Sequence, residues 1–87
     1  MRETRQTYAC ILRRKRRVIA DLEQMIRDVH YWNRLPQAEG REFDLSPERA
    51  ALEHARRSEQ LWLEHRTAES EAEWDLVIAA LQGPAHV

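Results

Sequence analysis

The sequence predicts an all-α protein built on an antiparallel helical hairpin, and three observations carry that expectation. Apolar residues recur with helical spacing over residues 8–32: Ile11, Val18, Met25 and Trp32 lie one heptad apart, as do Tyr8, Lys15, Leu22 and Val29, and Leu12, Ile19 and Ile26. At about 100° per residue these rows share one face, roughly 100° wide, which suits a helix packed into a bundle better than a two-stranded coiled-coil seam. Neither Gly nor Pro interrupts residues 1–35, whereas Pro36, Gly40 and Pro47 punctuate the middle of the chain. A second apolar stripe follows over residues 50–79, with a period of eleven.

The first helix is expected over about 5–32, roughly 42 Å at 1.5 Å per residue. Residues 1–4 are expected to fray, with Thr4 as N-cap. Glu23 and Arg27 form a correctly oriented i,i+4 pair. The helix should end near Tyr31-Trp32-Asn33, since Asn33 suits a C-terminal cap and Leu35 before Pro36 is biased away from helix.

Residues 33–46 form the connection, long for a helix–helix link. Leu35, Phe43 and Leu45 give it apolar anchors, so it should pack over one end of the helices; its length also suits a binding loop.

The second helix starts at a sharp signal: Ser46 as N-cap, Pro47 at the first helical position, Glu48 in the first turn, and Leu45 placed to staple against Ala50. It is expected over about 47–82, with Gly83-Pro84 as a stop and 83–87 as a loose tail. Leu52-Glu53-His54 recurs as Leu63-Glu64-His65, and Ala50, Leu61 and Ala72 share the same spacing. Eleven residues in three turns is close to the period of a straight helix, so this is a packing stripe, and its small residues admit a close neighbour. Glu53 and Arg57 add local support.

An unbroken second helix would be some 12 Å longer than the first, and its last turns, Trp74 to Leu81, are apolar nearly all round. Two solutions are open. Ser70 and Glu73 form an S-x-x-E capping box, so the helix breaks near 67–70 and a third helix, about 71–82, folds back. Alternatively the helix stays straight and a second copy covers the apolar end. Both bury Trp74, Val77, Ile78 and Leu81, and the result is a small monomeric bundle or a homodimeric four-helix bundle.

Eighty-seven residues make one helical domain, 1–87. A domain of this size buries only about 60% of its unfolded surface, so its core is thin. Net charge is −1, which gives no global preference for nucleic acid or anionic membrane, but the halves differ. Residues 1–41 hold ten Arg/Lys against five Asp/Glu, and residues 42–87 hold four against ten. The lone Cys10 excludes an intramolecular disulfide and points to a reducing, cytoplasmic setting (the host cytoplasm if phage-encoded); its place beside the apolar face suggests packing. The N-terminus lacks the apolar region of a secretory signal, and no apolar run is long enough to span a bilayer. Arginine outnumbers lysine thirteen to one, a bias associated with GC-rich genomes, bacterial or phage.

The run Arg13-Arg14-Lys15-Arg16-Arg17 reads as a nucleic-acid patch only until it is placed on a helix. Lys15 then joins the apolar face, Arg14 flanks it, and Arg13, Arg16 and Arg17 face out. Three to five exposed arginines make a small footprint for DNA, and the sequence offers no helix-turn-helix signature, aromatic stacking platform or glycine loop to accompany them. His54 and His65 stand about 16 Å apart along one side of a helix, too far to share a metal. Glu69 and Glu73 are an i,i+4 pair, but no matching Glu and E-x-x-H set exists on another helix to build a di-metal site. No cofactor or nucleotide motif appears, and no enzyme is expected. Trp32, Trp62 and Trp74 exceed what a minimal core needs, and aromatics and arginine dominate interface hot spots.

In size, helical-hairpin form and lack of catalytic motifs, the chain resembles in general character the small phage and mobile-element proteins that act by binding a host protein, anti-CRISPR proteins among them; the resemblance rests on no particular residues. The expectation is a non-enzymatic protein-binding module, an inhibitor or regulator, with Arg13, Arg16, Arg17, Phe43, Glu69, Glu73 and Trp74 as partner contacts. The alternatives are a nucleic-acid-binding regulator using the basic run, and a structural assembly subunit.

Overall fold

The structure, a computed structural model, describes the backbone of residues 5–82 and the side chains of residues 7–82. Fraying of residues 1–4, the Thr4 cap and the tail 83–87 lie outside the described residues. The described residues form three α-helices, α1 (Arg5–Asn33), α2 (Ser46–Leu63) and α3 (Thr67–Gln82), with one 3₁₀ turn (Pro36–Ala38) in the connection between α1 and α2. The protein is all-α, and the hairpin takes its broken form: α3 folds back antiparallel to α2 and so runs parallel to α1.

The break comes earlier than the sequence suggests, and its mechanism differs. His65 adopts a left-handed conformation, φ 61°. The Arg66 amide donates to Leu61 O (2.9 Å) and the His65 amide to Trp62 O (3.0 Å). This six-to-one plus five-to-two pair is a Schellman motif, with His in the position usually filled by Gly. Ser70 and Glu73 therefore lie inside α3 and do not form its capping box. The Ser70 hydroxyl donates instead to Ser58 O on α2 (2.7 Å), and the Ser58 hydroxyl donates to Ser70 O (2.8 Å). Both serines are fully buried. Each satisfies its own polar atom on the facing backbone, so the two helices approach closely without an orphaned donor.

Leu22, Ala51, Ala55 and Val77 form the core, with Val18, Ile19, Leu52, Trp74 and Ala80 packed against it. Among the four buried residues the small ones, Ala51 and Ala55, come from α2 and the large ones, Leu22 and Val77, from α1 and α3. The fold-back does not bury all four residues it was expected to cover. Val77 is buried and Trp74 half-buried, but Ile78 and Leu81 remain 46% and 45% exposed. A single helix presents only one face to α2, and the last turns of α3, Trp74 to Leu81, are apolar nearly all round.

The connection packs over one end through buried Ala38 and Leu45 and half-buried Leu35. Phe43 does not anchor it: its side chain is 61% exposed. Its backbone is held by Asn33, whose amide donates to Phe43 O and accepts from the Phe43 N–H, both at 2.9 Å. Asn33 is thus a loop clamp as well as the last residue of α1. Gly40 has φ 80°, and the turn there requires it. Ser46 does not cap α2 with its hydroxyl; that group and the Ser46 amide both donate to Asp44 Oδ1, holding the Asp44 carboxyl below its usual range.

Candidate interaction surfaces

Lys15 is the polar centre of the bundle. It sits on the packing face of α1, as its heptad place requires, and is only 3% exposed. Its ammonium donates to Ser58 Oγ (3.0 Å), which ties it to the serine clamp. It also lies 4.4 Å from the Trp74 ring centroid and 5.4 Å from that of Trp62. The two indoles supply the electrostatic stabilisation that water would otherwise provide. Burial lowers the Lys15 pKa from its ordinary value, and nearby Glu71 partly restores it. Trp62 is fully enclosed: it stacks on Tyr8 at 5.4 Å and 17°, its indole N–H donates to Tyr8 O, and Tyr8 Oη donates to Trp62 O. His65 also lies against the Tyr8 ring, at 5.4 Å and 31°. The turn residue and the start of α1 are therefore one aromatic unit.

The remaining charges sort into two groups. Arg16 pairs with Glu59 on α2 (2.6 Å), so it is not a free partner contact. Glu69 pairs with Arg66 at the start of α3. Glu73 binds the half-buried His54 (2.8 Å) and approaches Arg57 (3.9 Å), locking α3 to α2. Glu23 pairs with Arg56 across the α1–α2 seam (2.7 Å) and not with Arg27, which donates to Gln24. The expected Glu53–Arg57 pair is present at 2.6 Å. Much of the acidic strip of the second half is consequently spent inside the fold. Arg13, Arg14 and Arg17, by contrast, are exposed and make no ion pair among the described residues. Cys10 is exposed beside them and does not pack as expected.

Two features face outward. On α3, Leu76, Ile78 and Leu81 are each about half-exposed, and on α1 Met25 is 47% exposed. At about 100° per residue, Ile78 and Leu81 fall with Trp74 on the side of α3 turned toward α1, whereas Leu76 falls on the opposite flank. A shallow cleft of about 250 Å³, lined by Ile11, Arg14, Lys15, Glu71 and Trp74, lies between the two parallel helices. The loop aromatic Phe43 stands 5.4 Å from Trp32, tilted 56°.

The site residues named from sequence are not gathered in one place. Arg13 and Arg17 are free on α1, Phe43 stands at the loop, Trp74 is partly used by Lys15, and Arg16, Glu69 and Glu73 hold internal pairs. Sequence reasoning missed Ser58 and Ser70 as the contact between α2 and α3, because serine carries no apolar signal. Among the described residues no cluster of His, Cys, Asp and Glu is placed to hold a metal ion, and no helix is long and apolar enough to cross a membrane. Comparison with protein-family models, curated proteins and solved structures finds no match for this chain.

Proposed function

We propose that the chain is a non-enzymatic protein-binding module that inhibits or regulates a partner complex, in the manner of small phage and mobile-element proteins. The observation that carries this reading is the half-exposed apolar pair Ile78 and Leu81 on α3, with Met25 exposed on α1 and Leu76 on the opposite flank of α3. Neighbouring large apolar side chains left in water mark an interaction surface where they form a contiguous patch. The ionisable groups best placed for chemistry are occupied: Lys15 by Ser58 and two indoles, His54 by Glu73. The partner-facing set is accordingly Ile78, Leu81 and Met25, with Phe43 as an aromatic addition. A second copy of the chain is one protein able to cover α3, and a homodimer is the self-associating form of the same reading.

The test compares the native chain with an Ile78→Asp/Leu81→Asp double variant. Both positions are already half in water, so the far-UV melting curve should stay within a few degrees of the native one. The reading expects sedimentation across a concentration series, and affinity capture from a host extract, to reveal an association that the double variant loses. Identical sedimentation and an identical captured set for the two proteins would overturn it.

A further inference from the structure

The solvent face of α1 carries a second feature that the apolar surface of α3 does not explain. At about 100° per residue, Arg13, Arg17, Arg27 and Tyr31 fall within a sector of roughly 80°, centred opposite Lys15 and Leu22, and Arg34 follows in the turn just past the end of α1. All five are exposed, and Tyr31 is 69% exposed. The helical part of the stripe, from Arg13 to Tyr31, is roughly 27 Å long. Its far end is a cleft of about 380 Å³ lined by Arg27, His30, Tyr31, Arg34 and Leu35, with no carboxylate in the lining. No arginine of the stripe has a carboxylate partner among the described residues; the one side-chain bond is Arg27 to Gln24 (2.9 Å). Arg16, a neighbour in sequence but turned toward α2, is neutralised by Glu59. The fold therefore pairs the cations at its seams and leaves this row unpaired.

We propose that this face binds single-stranded nucleic acid, the arginines following the phosphate backbone and Tyr31 stacking on a base. Sequence-tolerant binding of single strands needs these two elements, a cationic track and an aromatic platform in line with it. A protein partner is a poorer fit, because the centre of a protein interface is apolar and this stripe offers only Ala20 and the Tyr31 ring. Asp21 and Asp28 stand on one margin, and Asp28 is engaged by Gln24 (2.8 Å). The last carbonyls of α1, on Tyr31 and Trp32, accept from the Arg34 and Leu35 amides, which covers part of the negative helix end beside the cleft. The overall charge of −1 does not forbid the contact. At about 0.1 M salt the screening length is only ~10 Å, so the local row governs at close range.

The experiment is fluorescence anisotropy of a labelled twelve-nucleotide oligo-dT with the full chain, over a salt series. Four phosphate contacts give an expected log–log slope near −2.8 for a single strand, about a fifty-fold loss of affinity from 50 to 200 mM salt. Tyr31→Ala should weaken binding by about fivefold or more at every salt concentration. Arg16→Gln and Arg17→Gln remove the same charge from adjacent residues. Arg17→Gln should weaken binding about threefold or more and flatten the slope by ~0.7, whereas Arg16→Gln should change affinity less than twofold. Equal losses from the two substitutions, equal affinity for a duplex of the same length, or full competition by an acidic polypeptide at matched charge would each overturn the assignment, as would absence of binding at 50 mM salt. The Ile78→Asp/Leu81→Asp variant should bind the oligonucleotide as the native chain does, which separates this outcome from that of the protein-binding reading.

Discussion

The two ends of the bundle are held by different physics. At the end near the α2–α3 turn, Tyr8, Lys15, Ser58, Trp62, Ser70 and His65 interlock through directed hydrogen bonds and ring contacts. At the other end, Leu22, Ala51, Ala55 and Val77 meet by burial alone. The first set admits one register, because a one-residue slip of α1 would separate Lys15 from Ser58 and Tyr8 from Trp62. The second would tolerate a slip with modest loss, since alanines present similar surfaces to any large neighbour. A chain with so little core fixes its alignment with polar and aromatic groups, and supplies bulk stability with the rest.

The largest expected effect comes from breaking the aromatic end. Trp62→Ala removes a fully buried indole, its stack on Tyr8 and one side of the Lys15 cage, and should cost about 3–5 kcal/mol in urea unfolding. That approaches the whole stability of a domain this small. A value under 1 kcal/mol would mean that this end does not hold the fold.

Lys15 separates specificity from stability. Because its folded pKa lies below the unfolded value, the folded state gives up the proton first as pH rises. Between the two pKa values the unfolded chain binds more protons, so stability should increase with pH through that alkaline window and reach its full value above about 10.4. Lys15→Met keeps the bulk and removes the buried charge. Its stability should lie within about 1 kcal/mol of native at pH 7, or above it, as replacements of buried charges by apolar groups often do. The alkaline rise should disappear from its urea-unfolding profile, while native-state amide exchange in α1 should quicken as the register loosens. An unchanged alkaline rise in the variant would assign the effect to another group.

The smallest effect tests the turn. His65 holds a left-handed conformation that costs a side-chain-bearing residue roughly 1 kcal/mol, and its ring contact with Tyr8 returns a similar amount. His65→Gly should therefore leave stability within about 0.5 kcal/mol, whereas β-branched His65→Val should lose about 1–2 kcal/mol, since it pays the strain without the ring. Thermal melts of the two variants side by side would check the order.

The contrast between the ends also explains what the sequence made legible. Helix periodicity placed α1 to within a residue at its C-terminal end, and put Lys15 on the packing face. It did not reveal what Lys15 meets there, because that depends on the register between α1, α2 and α3, and period alone leaves register open. The break before α3 was visible as a length mismatch. It was placed a few residues late because Ser70 and Glu73 imitate a cap, while the actual stop, His65, carries no glycine signal. The candidate contacts were half legible for the same reason. Arg16 and Arg17 look equivalent in the linear run, and only the position of Glu59 on the facing helix tells the neutralised one from the free one.

The three-residue turn at Glu64–Arg66 has a kinetic consequence. Closing α2 onto α3 costs about 1 kcal/mol less in chain entropy than closing the twelve-residue segment 34–45 that joins α1 to α2. The serine clamp and the Ala51–Val77 contacts then form within one local hairpin, and α1 arrives as the late partner. Folding should accordingly nucleate in the C-terminal half, with mutational φ-values high at Ser70 and Val77 and low at Ile19 and Leu22. A chain arranged this way would reach the transition state quickly for its size, and would release α1 first when it unfolds.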